Sequence, residues 1–179
     1  GVQSYKDTVV HSLQVAEAAG GLALAGMPNT NPPLLSAEQC VEYLKLADDY
    51  SGPVKFFTHI GASTDRDQLK RAFNAVREVP GVCGVKGFLG HSTGDMGLVR
   101  QKDRYQLFEV GAEEGYKGVL VLHCEHEDYM NSKVFDLEIP GSWSLICRPE
   151  ISEIASFTEA VNMARDTGFE GRIHVAHVS

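Results

Sequence analysis

The 179-residue sequence predicts an α/β fold in a single domain, built on a parallel sheet. Three observations predict it. Helical and strand-like patterns alternate along the chain. The strand-like runs, such as residues 118–123 (GVLVLH), are nearly continuously apolar, as strands covered on both faces are. Helix caps and Pro-Gly or Gly-Gly breaks fall between the runs, leaving room for right-handed crossovers.

The elements follow in order. Residues 5–19 place Val9, Val10, Leu13, Val15 and Ala16 at helical spacing, and Gly20-Gly21 stops them. Residues 22–27 form a short apolar strand, and residues 28–33 a loop. Ser36 is a good N-cap for a helix running to about residue 50 through Val41, Leu44 and Leu46. Ser51-Gly52-Pro53 breaks that helix, and residues 54–60 are the next strand. Thr64 or Asp65 caps a helix carrying Leu69, Phe73 and Val76, which Pro80-Gly81 ends. Residues 82–89 are a strand containing Lys86. Residues 103–114 are helical, with Tyr105, Leu107, Phe108 and Val110. After the strand at 118–123, residues 124–147 are irregular, with a turn at Pro140-Gly141. Residues 150–167 are helical, and residues 173–178 form the last strand. Met27, Phe88 and Cys124 are expected in the core.

Such a series closes either as an open doubly wound sheet or as a barrel of eight units. No GxGxxG follows any strand, which disfavours a dinucleotide-binding sheet. A closed barrel typically takes about 250 residues, so as a barrel this chain is expected to be incomplete.

Composition narrows the function. The chain is 43% hydrophobic and 22% charged, a globular balance, and its net charge of −8 argues against nucleic acid and against an anionic membrane surface. No apolar run approaches the roughly 20 residues of a membrane span, and no leader peptide is visible. Cys40, Cys83, Cys124 and Cys147 form no CxxC pair and read as reduced thiols of a cytoplasmic protein.

The chemistry sits at the C-terminal ends of the strands, where parallel folds build their sites. Those ends carry Asn29 (MPNT), Lys86 (GVKGFLG), His123 (VLHCEHE) and His177 (HVAHVS). Two imidazoles at strand tips are natural zinc ligands. A lysine inside an apolar strand either snorkels to water or has changed its chemistry. If its nitrogen has taken up carbon dioxide, the resulting carbamate is an anion that can bridge two metals.

MPNTNPP, GVKGFLG, VLHCEHE, the following RPE and RIHVAHVS, in that order, resemble the dihydroorotases of the amidohydrolase superfamily, over nearly the whole chain. The resemblance implies a partial TIM-type (β/α)8 barrel, about strands 2 to 6 with their helices. It implies one or two zinc ions and the interconversion of N-carbamoyl-L-aspartate and L-dihydroorotate in pyrimidine biosynthesis. By the same resemblance Lys86 is the carboxylated bridging lysine, His123 and His177 are metal ligands, and Asn29 helps hold the substrate carboxylate. The family's HxH pair does not occur before MPNT, where the one histidine, His11, falls on a helix; Gly26 also departs from many relatives. The general-base aspartate of the family lies outside the chain. The 179 residues alone are therefore expected to be inactive, to bind zinc weakly, and to carry open strand edges that favour association. Within the superfamily a hydantoinase or allantoinase remains open. So does a non-catalytic scaffold that binds a partner enzyme of the pathway, and so does a homo-oligomer.

Other residues have plainer readings. His174 is expected to point opposite to His177 on an alternating strand and to be structural. His126 reads as either a loop ligand or a solvated surface histidine. His59 is either a packing residue that hydrogen-bonds near the site or part of it. Residues 91–97 (HSTGDMG) form either a loop over the substrate or a plain surface loop. Arg148 either binds an anion or pairs with Glu150 or Glu153.

Overall fold

The computed structural model describes residues 7–91 and 96–178. Five strands, β1 (Ala23–Gly26), β2 (Lys55–Gly61), β3 (Val82–Phe88), β4 (Val119–His123) and β5 (Arg172–Val175), form one sheet. Every neighbouring pair is parallel, and the order is sequential, β1-β2-β3-β4-β5. Helices α1 (Val9–Ala18), α2 (Ala37–Leu44), α3 (Arg66–Glu78), α4 (Gln101–Glu113) and α5 (Glu150–Thr167) alternate with the strands. In a doubly wound sheet the strand order reverses at a switch point. Here it never reverses, so right-handed crossovers put all the connecting helices on one face. Consistent with this, α2 packs on α3, α3 on α4 and α4 on α5. This is the winding of a (β/α) barrel, of which the five strands form an arc.

Helix starts follow local chemistry. Ser36 forms a full capping box: its hydroxyl accepts from Gln39 N, and the Gln39 side-chain oxygen accepts from Ser36 N. Asp65 caps α3 by accepting from Gln68 N at 2.7 Å, which settles the alternative of Thr64. Two helices are shorter than their apolar spacing predicts. Thr8 caps α1, so the helix begins at Val9; the expected start at residue 5 lies outside the described residues. α2 stops at Leu44 and tightens into a 3-10 turn, Lys45–Ala47. The carboxylates of Asp48 and Asp49 follow that turn, where negative charge opposes the helix dipole.

The core lies between the sheet and the helices. Ile60, Val85, Leu120, Leu122, Ile173 and Val175 face Leu69, Phe73, Leu107, Phe108 and Met163. Phe73 packs on Tyr116 with the rings tilted and their centroids 4.7 Å apart, and Phe108 meets Phe169 edge-on at 5.6 Å. The Tyr116 hydroxyl donates to Val119 O at 2.8 Å, which satisfies the one polar atom in that cluster. Arg104 of α4 is 4% exposed and forks onto Glu159 of α5, so its burial is paired. Met27, expected in the core, is instead 41% exposed, because it follows the edge strand β1. Phe88 and Cys124 are buried as expected. No helix among the described residues is long and apolar enough to cross a membrane.

Backbone pairing continues past the strands at their C-terminal ends. Ala62 N donates to Lys86 O, Leu89 N to His123 O and Ala176 N to Leu122 O, each at 2.9 Å. Gln68 donates to both Leu35 O and Gly61 O, tying the loop after β1 to the end of β2. The rim that carries the candidate residues is thus held by main-chain bonds. Truncating one fully buried ring should show how much the arc depends on its helical layer. Phe73→Ala is expected to destabilise folding by about 3–5 kcal/mol in urea denaturation; a loss below about 1 kcal/mol would mean the ring is not at the centre of the core.

Candidate functional site

Strand register decides which side chains meet. Lys86 of β3 pairs with Val121 of β4, and Phe88 pairs with His123. Paired residues of a parallel sheet share a face, so Lys86, Phe88, Val121 and His123 lie together on the face opposite the helices. Gly61 pairs with Lys86 from the other side. The glycines of GVKGFLG make this region close-packed. A Cβ on Gly84 would sit 2.6 Å from Val119 O, and one on Gly90 2.6 Å from Glu125 O.

Lys86 is 2% exposed, and among the described residues its Nζ has no hydrogen-bond partner. The centroid of the Phe88 ring lies 4.8 Å from Nζ. The lysine does not snorkel. Burial in an apolar setting drives its pKa down from 10.5 to about 8, because the charged form loses its water. Near neutral pH a minor fraction of the side chain is therefore the free amine.

The histidines are close at hand. His123 Nδ1 lies 2.8 Å from His177 Nε2, with ring centroids 4.7 Å apart. The other nitrogen, His123 Nε2, is 2.7 Å from Glu125 Oε2. Arg148 grips the same carboxylate: its Nε donates to Oε1 at 2.7 Å and its Nη2 to Oε2. Glu125 is pulled down to a pKa of about 2, held there by hydrogen bonds from His123 and Arg148 that outweigh the opposing effect of burial. Phe88 links the two halves of the site, since its ring is 6.0 Å from that of His123 and lies beneath Lys86 Nζ.

The relatives of the chain give this geometry its context. A curated dihydroorotase of Caldanaerobacter subterraneus subsp. tengcongensis is 28% identical over 97% of the chain. One of Halobacterium salinarum is 27% identical over 98%. The chain is dihydroorotase-like. It spans about 38% of the length of the curated relatives it matches. No protein-family model matches it. Among solved structures, a D-hydantoinase superposes with a TM-score of 0.74 at 17% identity, covering 97% of this chain and 37% of that one. A Saccharomyces cerevisiae dihydroorotase superposes at 0.59 and 17% identity, covering 93% and 42%. These two likenesses establish the fold alone, a stretch of (β/α) barrel.

Within this dihydroorotase-like frame, the structure brings His123 and His177 into contact and seats Lys86 on the same face. Asn29 is half-buried in the loop after β1, at the same end of the sheet but three strands from β4. His59 is 7% exposed; its Nδ1 donates to Gly26 O at 3.0 Å, and Nε2 is 3.6 Å from Cys83 Sγ. Burial first, opposed by the Gly26 carbonyl and reinforced by the charge of Lys86, lowers the His59 pKa. Two histidine expectations change. His174 pairs with Val121 and so shares the face of Lys86, while His177 lies beyond β5 with a φ of 41° that turns it back beside His123. Strict alternation fails because His177 is not on the strand. His126 is half-buried, not solvated: it caps a 3-10 turn and packs against Tyr129. Of the loop 91–97, residues 92–95 lie outside the described residues; Met96 is buried, and its Cε fills the space beside Gly61. Arg148, expected to bind an anion or to pair with Glu150 or Glu153, grips Glu125, and Glu125 is the residue sequence reasoning missed. The H-x-E spacing of His123 and Glu125 was the available signal.

Among the described residues no group of three or more His, Cys, Asp or Glu side chains is arranged to hold a metal. Two of the donors present, the imidazoles of His123 and His177, are of the kind zinc takes. Two ring nitrogens lie 2.8 Å apart, and a buried amine without a hydrogen-bond partner among the described residues shares the sheet face of His123. Because the unfolded chain holds the Lys86 proton up to about pH 10.5 and the folded chain only to about 8, Lys86 makes stability rise with pH across that window. Its charged form costs the folded state on the order of 3 kcal/mol near neutrality. In carbon-dioxide-free buffer, Lys86→Met is expected to be the more stable protein near pH 7, with the advantage fading by about pH 10. Equal urea midpoints at both values would show that the amine is not buried unpaired.

Proposed function

We propose that the chain belongs to a zinc-dependent cyclic amidohydrolase that interconverts N-carbamoyl-L-aspartate and L-dihydroorotate in pyrimidine biosynthesis. The observation that carries the reading is the convergence of His123 and His177 beside a buried, unpaired Lys86, at the C-terminal end of a barrel arc whose sequence is dihydroorotase-like. The four free cysteines agree with a reducing compartment, the cytoplasm.

The residues divide the work. His123 Nδ1 and His177 Nε2 would hold a zinc ion. Lys86 has the chemistry to become an anionic ligand: the Nζ lone pair bonds to the carbon of carbon dioxide, a nitrogen-bound proton leaves, and a carbamate results. A lysine whose pKa is about 8 is partly neutral at physiological pH, as that step needs. Asn29, at the same rim, would hydrogen-bond the substrate carboxylate. Zinc, when bound, lowers the pKa of a water and polarises the ring amide carbonyl. Two imidazoles and one lysine are fewer donors than the four ligands zinc takes. The 179 residues alone are therefore expected to bind zinc weakly and to leave dihydroorotate unhydrolysed.

Substrate choice is read by assaying the intact, zinc-supplemented protein on dihydroorotate, hydantoin and allantoin. Dihydroorotate is expected to be hydrolysed far faster than the other two, and Lys86→Ala to lower that rate by more than the roughly 100-fold that loss of an outer partner of a metal ligand costs. Turnover of hydantoin or allantoin in preference would overturn the substrate assignment. An active Lys86→Ala protein would overturn the role of the lysine.

A further inference from the structure

The clamp on His123 involves two residues that no metal ligation requires. Resting on the metal-site reading above, we infer that Glu125, gripped by Arg148, is a positioning residue that fixes the Nε2–H tautomer of His123 and so presents its Nδ1 lone pair toward His177. Proton placement follows from the acceptors. A carboxylate only accepts, and Glu125 Oε2 is 2.7 Å from His123 Nε2, so Nε2 carries the hydrogen. The competing arrangement would have Arg148 Nη2 donate to a bare Nε2. That contact is 3.5 Å, at the limit of a hydrogen bond, and it would set a lone pair against the carboxylate. Distance and charge therefore agree on one tautomer.

Arg148 supplies the rigidity. It donates from two nitrogens to the two oxygens of Glu125, a planar fork that fixes the carboxylate's orientation. Its guanidinium is itself backed by the Trp143 ring at 5.7 Å. The partners come from distant points of the chain: Glu125 just beyond β4, and Arg148 from the far end of the excursion that leads into α5. The arrangement matches the general rule that a ligating imidazole donates its second nitrogen to a carboxylate, which sets both its tautomer and its orientation. It also gives the irregular segment between β4 and α5 a task, since that segment delivers the arginine.

The test is read first without metal, by nitrogen-15 side-chain NMR of the intact protein. His123 is expected to show a protonated Nε2 and a bare Nδ1. Glu125→Ala is expected to scramble that preference and to weaken zinc binding roughly 10- to 100-fold, while Glu125→Gln, whose amide oxygen still accepts, keeps the tautomer. Arg148→Met is expected to keep the tautomer and give a smaller loss of zinc affinity. A protonated Nδ1 in the unmodified protein overturns the inference even if no variant folds, and so does a Glu125→Ala protein with unchanged tautomer and zinc affinity. If the unmodified protein shows the expected tautomer but binds no zinc, the metal-site reading fails while the positioning role of Glu125 stands.

Discussion

Everything in this molecule depends on one constraint: five parallel strands in unbroken sequential order, with every crossover on the same side. The constraint separates two faces. The helix side takes the aliphatic residues and becomes the core. Among the described residues α2 to α5 pack in series on that side, and on the opposite side the chain places Lys86, His59, His123 and His174. Register then sets depth. Lys86 is in the row of Val121 and His123 in the row of Phe88, two residues nearer the rim. The lysine is therefore sealed from water, while His123 reaches His177 at the mouth.

That depth has an energetic consequence. An unpaired ammonium inside a protein opposes folding, and the arc must offset it through the packing of α3 and α4 on the sheet. A buried amine is retained against such a penalty when its reactivity is useful, as in sites where burial tunes pKa. The Glu125–Arg148 pair shows the opposite solution within a short distance. There the buried charges are matched, the carboxylate pKa falls to about 2, and the ring of His123 is fixed as a result.

Much of the fold was legible in the sequence because its signals are local. Ser36, Asp65 and the Pro80-Gly81 break act within a few residues, and α5 runs from Glu150 to Thr167 as its spacing predicts. Strands β3 and β4 were readable because burial on both faces leaves a continuous pattern. Lys86, His123 and His177 stood out in the sequence because each is a polar residue in or next to such a run. What stayed hidden depends on distant contacts or on backbone turns. Glu125 and Arg148 are 23 residues apart, and their bond forms only when the segment between them folds back. His177 reaches His123 through a left-handed residue that no alternation rule anticipates. Met27 is exposed because β1 is an edge strand, a fact of sheet order and not of composition.

The central claim is that Lys86 is a reactive ligand and not a tolerated charge. The most direct measurement is carbon-13 NMR of the intact protein equilibrated with labelled carbon dioxide and zinc, alongside Lys86→Met. The account predicts one protected carbamate resonance that disappears in the variant. A spectrum with no carbamate signal, or with a signal that survives the loss of Lys86, would contradict it.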